Sequence, residues 1–276
     1  MKGFGRMKRA CAASAAALLL VLTGCGSASE PEHTPPQTES KTAEQLLKEQ
    51  PRDSSHDAFL VETGGRMGTL LVTAEKGEPD KTSEFGGFET TLSVWDPQTM
   101  DKPLQTMTIV IEDMCFGHSE VTDANFDGLM DFGYMYFQGN QPTYWYFWIW
   151  DEEAGQFVEE PAFREISMPV FDPETETVSG WARSSGAGDG LSTFYRWEDE
   201  ELVCVRKITA WYEPDDVVIT ESELAEISYQ MTVEDRIDGA LVQVYYNRFP
   251  SEEGFFTERE KWENLDYHGE MNDIEE

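Results

Sequence analysis

Basic residues are scarce in this chain. Lys and Arg number 20 against 54 Asp and Glu, giving a formal net charge of -34. A chain of that sign is repelled by nucleic acid and by anionic lipid headgroups, which excludes both as electrostatic partners; it draws in cations and basic proteins. Histidine is scarcer still, with four residues (His33, His56, His118, His268) scattered along 276 positions. No H-E-x-x-H, G-x-S-x-G or G-x-x-x-x-G-K-[ST] is present, so the metalloprotease, serine-hydrolase and phosphate-loop chemistries have no residues to rest on. The triplet Asp131-Phe-Gly133 stands without the H-R-D or glycine-rich loop that would make it kinase-like. The chain therefore reads as a non-enzyme. Long apolar runs are absent after residue 22, so nothing beyond the N-terminus reaches the ~18 residues of a membrane span. The four cysteines include no C-x-x-C pair, which excludes the common zinc spacings. A disulfide between Cys115 and Cys204 and two separate buried thiols both fit the sequence.

What is present is apolar enough to fold. Hydrophobic residues make up 39% and aromatics 12%, including 8 Trp, which supports a sizeable core in one large domain or two small ones. The N-terminus has Lys2, Arg6, Lys8 and Arg9, then an apolar stretch from Ala10 to Leu22, then Leu22-Thr-Gly-Cys25. This resembles a bacterial lipoprotein signal peptide, residues 1–24, with Cys25 as the lipidated first residue of the mature chain. The resemblance implies a membrane anchor through Cys25 and an extracytoplasmic place at the cell membrane or envelope. Residues 25–55 are rich in Pro, Ser, Thr, Glu and Gln and poor in large apolar residues, the composition of a flexible tether.

From residue 56 to 276 the pattern is β. Ala58–Val61, Gly68–Thr73, Thr90–Trp95, Met107–Ile111, Gly133–Phe137, Val178–Ala182 and Leu191–Trp197 are short apolar or alternating runs bounded by turn formers. Thr143–Trp150 is large on both faces, which predicts a central strand covered on both sides. Strands end in Trp95-Asp96, Trp150-Asp151 and Trp197-Glu198, at spacings of 55 and 47 residues. A hairpin unit recurring at about 40–50 residues predicts an all-β, propeller-like array of antiparallel hairpins. Helix signals are few: Thr42–Glu49 in the tether, and capping boxes at Thr220-x-x-Glu223 and Thr257-x-x-Glu260.

The segment that carries chemistry is Asp123-Ala-Asn-Phe-Asp-Gly-Leu-Met-Asp131. Asp123, Asn125 and Asp127 supply oxygens at loop positions 1, 3 and 5, the Leu129 carbonyl at position 7 and Asp131 at position 9, with Gly128 allowing the sharp turn. Alternate oxygens on a tight loop are what a hard cation needs, so the spacing predicts calcium. The twelfth position, a bidentate Glu in helix-flanked loops, is Tyr134, and the residues that follow read as strand. The loop is therefore similar to the D-x-[DN]-x-D-G-x-x-D loops that join strands in FG-GAP propeller repeats. The metal-free alternative is a plain turn, since these residues are all turn formers.

A second loop, Arg183-Ser-Ser-Gly-Ala-Gly-Asp-Gly190, is rich in backbone donors, and Ser184, Ser185 and Gly186 are candidate partner contacts. From about Val121 to Ala210 the order of calcium loop, aromatic strand, Pro169-Val-Phe-Asp-Pro-Glu-Thr175, Ser-Gly loop and Phe194-Tyr-Arg-Trp197 resembles the propeller-like exported proteins related to periplasmic inhibitors of invertebrate-type lysozyme. That resemblance implies calcium in the first loop and a lysozyme cleft as the target of the second. The expected function is a membrane-anchored calcium-binding β-domain lipoprotein that binds a basic macromolecule such as lysozyme. A cell-envelope glycan-binding protein using the aromatics of Tyr144–Trp150, or a hydrolase using carboxylates near the loop, is the alternative.

Overall fold

The structure, a computed structural model, describes residues 41–82, 86–140, 142–183, 189–213 and 228–269. The signal peptide, Cys25, the expected capping box at Thr220, and Ser184, Ser185 and Gly186 lie outside the described residues. The protein is mostly β, in three antiparallel sheets.

The first sheet contains β1 (His56–Glu62), β2 (Thr69–Pro79), β3 (Gly87–Trp95) and β4 (Gln105–Glu112). The second contains β5 (Ser119–Thr122), β6 (Asp131–Gln138), β7 (Thr143–Asp151) and β8 (Gln156–Glu159). The third runs from β9 (Val170–Asp172) through β10 (Thr177–Arg183), β11 (Gly190–Glu198), β12 (Glu201–Glu213) and β13 (Ser228–Ile237) to β14 (Ala240–Phe249). Each is a meander in which sequence neighbours pair, and strand pairing stays within each sheet. Among the described residues no closed barrel or ring is formed.

The tryptophan–acid pairs fall at one place in this plan. Each ends the third strand of its sheet: β3, β7 and β11. The acid then shapes the turn. Asp96 accepts the Gln98 N–H at 2.8 Å, and Asp151 accepts those of Glu153 and Ala154 at 2.9 Å each, as short side-chain acceptors do. The third turn is built differently, with Asp199 and Glu200 both at positive φ, 48° and 70°, the geometry of a two-residue hairpin.

Alternation on the second sheet explains the stacking. From β7, Tyr146, Trp148 and Trp150 meet Phe59, Val61, Leu70 and Val72 of the first sheet. Trp145, Phe147 and Ile149 point the other way, to Val178, Tyr195 and Trp197 of the third. The second sheet is thus the middle layer, and β7 is covered on both sides as its composition predicts. Phe147 is fully buried and lies over Gly133, where a Cβ would come within 2.6 Å of the ring. With Trp148 and Trp150 only 2% exposed, these rings are committed to the core rather than to an open glycan face.

The third sheet has the four-strand unit, β9–β12, and then an addition. β13 and β14 extend it outward, and helix α2 (Glu252–Glu263) covers one face through Phe255 and Trp262. Arg206 on β12 fastens this addition. It is 2% exposed and donates to both Asp235 oxygens, at 2.6 and 2.7 Å, and to the carbonyls of Trp262, Asn264 and Tyr267 at 2.9–3.0 Å. All five guanidinium N–H groups are used, a geometry lysine cannot supply.

Helix positions depart from expectation. α2 begins five residues before Thr257, with Ser251 as its cap accepting the Gly254 N–H at 3.3 Å. Thr257 therefore lies inside the helix, and the capping box expected there does not form. Pro250-Ser251 followed by Glu252 and Glu253 is the stronger start, since acids in the first turn suit the helix dipole. Helix α1 (Ala43–Glu49) occupies part of the expected tether. It has a complete capping box from Thr42 and Gln45 and contains no buried residue. No helix among the described residues is long and apolar enough to cross a membrane.

Candidate metal centre

The Asp123–Asp131 loop joins β5 to β6 and is held by its own acceptors. Asp123 takes the N–H groups of Asp127 at 3.0 Å and Gly128 at 2.8 Å. The Asn125 oxygen also accepts the Asp127 N–H at 3.2 Å, and Asp127 accepts that of Leu129 at 2.8 Å. Two residues take positive φ, Gly128 at 88° and Phe126 at 61°. Glycine does this freely; the phenylalanine does it at a cost of about 1 kcal/mol or more. Positions 1, 3 and 5 are thus drawn onto one turn, as their spacing predicts.

Asp131 is the buried end of the loop. It is 0% exposed, and its two oxygens accept the N–H groups of Ala124 at 2.7 Å and Trp150 at 2.8 Å. Burial pushes its carboxyl up to about 7. Those two N–H groups pull the other way, and the charges of Asp127 and Asp123 add to the rise. Tyr134, at the twelfth position, is no ligand: it is buried in the core, and its hydroxyl accepts the Gly117 N–H at 2.8 Å.

The loop also touches all three sheets. Met130 N–H donates to the Thr63 carbonyl at 3.1 Å, in the turn between β1 and β2. The Trp197 indole of β11 donates to the Ala124 carbonyl at 3.0 Å. Asp131 reaches Trp150 on β7. Beside it, Glu152 accepts the Arg66 main-chain N–H at 2.8 Å and the Trp150 indole at 2.8 Å, and its carboxyl is held down to about 2 by these bonds and the Arg66 side chain.

No family model matches the sequence, and no curated protein is similar to it. A solved structure described as that of a Xanthomonas type IV secretion system related protein is similar, with a TM-score of 0.44 and 14% identity, covering 68% of this chain and 93% of its own.

The donor set suits a hard cation in chemistry more than in present arrangement. Asp123, Asp127 and Asp131 form no ion pair with any described Lys or Arg, and three carboxylates on one turn ask for a counter-charge. Among the described residues, however, no group of three or more His, Cys, Asp or Glu is gathered around one point. The side-chain oxygens are turned to backbone N–H groups, leaving each carboxylate oxygen a second lone pair. The partners at Thr63, Trp150 and Trp197 were not signalled by the loop's sequence. Trp197 alone carried a hint, as a member of the tryptophan–acid repeat.

Proposed function

We propose that this protein is an exported, lipid-anchored, propeller-like β domain that binds calcium and acts by holding a basic protein of the lysozyme type rather than by catalysis. The observation that carries the reading is the Asp123–Asp131 loop: three carboxyl groups with no ion-pair partner among the described residues, at the place where three sheets meet. Asp123, Asn125, Asp127, the Leu129 carbonyl and Asp131 would hold the ion. Calcium would neutralise charge there and fix the joint, a structural role. The partner follows from charge. At -34 overall, the chain attracts a basic protein from a distance, and the attraction fades with salt. Ser184, Ser185 and Gly186 are the proposed contacts with the partner's cleft, and Cys25 the lipid attachment.

The test is a thermal melt of the mature chain in calcium, in magnesium and in chelator. Saturation a hundredfold above Kd adds about 2.7 kcal/mol, which for a domain of this size raises Tm by about 5–10 °C. A Tm that calcium leaves unchanged makes the loop a metal-free turn. Lysozymes of several types, assayed with the protein and calcium, test the partner; full activity in every case rejects the inhibitor reading.

A further inference from the structure

The third sheet presents a surface that neither its core nor the calcium loop requires. Beyond the four-strand unit, the hairpin of β13 and β14 runs past the cover of α2. Every residue from Arg236 to Gln243 is exposed, so this end stands clear of the core on both faces. It is nonetheless aliphatic: Ile237 is 46% exposed, Leu241 38% and Val242 44%. The pairings Ile237↔Ala240 and Asp235↔Val242 put Ile237, Ala240 and Val242 on one face, and Leu241 beside Arg236 on the other. Asp238 and Gly239, at φ of 51° and 84°, close the ribbon with a tight hairpin turn. A two-stranded ribbon has little stability of its own, and exposed aliphatic side chains on it mark a contact surface.

Its neighbours are acidic. Strand direction alternates, so the turns joining β9 to β10, β11 to β12 and β13 to β14 lie at one end of the sheet. The first carries Asp172, Glu174 and Glu176, and the second carries Glu198, Asp199, Glu200 and Glu201, all exposed. Arg196 and Arg236 are the cations there, and Arg236 is 3.9 Å from Glu198. The strand ends that flank residues 184–188, Arg183 and Gly190, are at the opposite end of the same sheet.

We infer that this end of the third sheet docks a basic protein, the acidic turns steering it and the Ile237–Val242 ribbon making the apolar contact. The inference rests on the basic-partner reading above and adds a surface at the end of the sheet opposite Arg183 and Gly190. A second copy of the chain is the poorer occupant, because it would bring the same acidic turns against these.

Fluorescence anisotropy with labelled alternating Lys–Leu and Lys–Ser peptides tests it. The protein should bind Lys–Leu about tenfold more tightly than Lys–Ser, the value of a modest apolar contact. Ile237→Thr with Val242→Thr keeps strand propensity and should abolish that preference while leaving Lys–Ser binding unchanged; Glu198→Gln with Glu200→Gln should weaken both. A melt checks folding, and Val242→Thr alone carries the test if the double variant does not fold. Equal binding of the two peptides, or a preference the threonines leave intact, overturns the ribbon while the basic-partner reading stands. Failure to bind either peptide overturns both. A dimer in sedimentation that the threonines dissociate makes a second copy the occupant and overturns it too.

Discussion

Asp131→Ala separates the two demands on the Asp123–Asp131 loop, because they have opposite pH dependence. Alanine removes the acceptor from two buried N–H groups, those of Ala124 and Trp150, at about 1–3 kcal/mol each. It also removes a carboxylate whose ionisation the metal-free fold resists. The difference between the ordinary 3.8 and about 7 corresponds to about 4 kcal/mol. The folded form holds this proton longer than the unfolded chain does, so in chelator the natural protein loses stability as pH rises from about 4 to about 7 and is level above. The variant lacks that slope. Taking about 4 kcal/mol for the two stranded N–H groups together, its deficit in chelator should be about 2–3 kcal/mol near pH 5 and close to zero near pH 8. Calcium should reopen the deficit near pH 8, since only the natural loop keeps its position-9 oxygens. Urea unfolding followed by tryptophan fluorescence, at both pH values and in both media, measures it. A chelator deficit that grows with pH, or one that calcium leaves alone, would falsify the account of Asp131.

Arg206→Met should cost about 3–5 kcal/mol, because it strands the Asp235 charge; the double change with Asp235→Leu should cost less, and urea midpoints compare the two. Replacing Asp199-Glu200 by Asn-Gly relieves two left-handed residues and should add roughly 0.5–1.5 kcal/mol in the same assay. Cys115 and Cys204 are free, so unfolding without reductant should let both take up an alkylating agent; protection of the pair in the mass spectrum would reveal a disulfide.

The four strands of the first sheet and β6 and β7 of the second were legible because they are short apolar or alternating runs bounded by turn formers, while the four-residue β5 was too short and polar to stand out. β7 announced its central place by being large on both faces. The hairpin of β13 and β14 was harder to see. Ser228–Ile237 mixes charged and apolar residues on a half-covered strand, and its best clue was the Asp238-Gly239 turn. The start of α2 was hidden by a better-known pattern at Thr257, while Ser251 needed its proline and acids to be weighed together. Within the Asp123–Asp131 loop, spacing alone foretold which oxygens share a turn. It could not foretell that Thr63 and Trp197, some 60–75 residues away on either side, would be its partners, since no local rule reports a contact across that distance. Arg206 poses the same problem: a cation between Val205 and Lys207 gives no sign of Asp235.

The arrangement of joints sets an order of assembly. Every sheet is a run of neighbouring hairpins, and such pairings close short loops and form early. Hydrogen bonds between sheets run through Asp123–Asp131, the adjoining Arg66–Glu152 pair, and Gln105 of β4, which exchanges bonds with the Phe157 main chain of β8. Each sheet can therefore form before it is positioned, and these joints are where their mutual registration is settled. Whatever neutralises the Asp123–Asp131 carboxylates would therefore act on the rate of completion as well as on the finished protein.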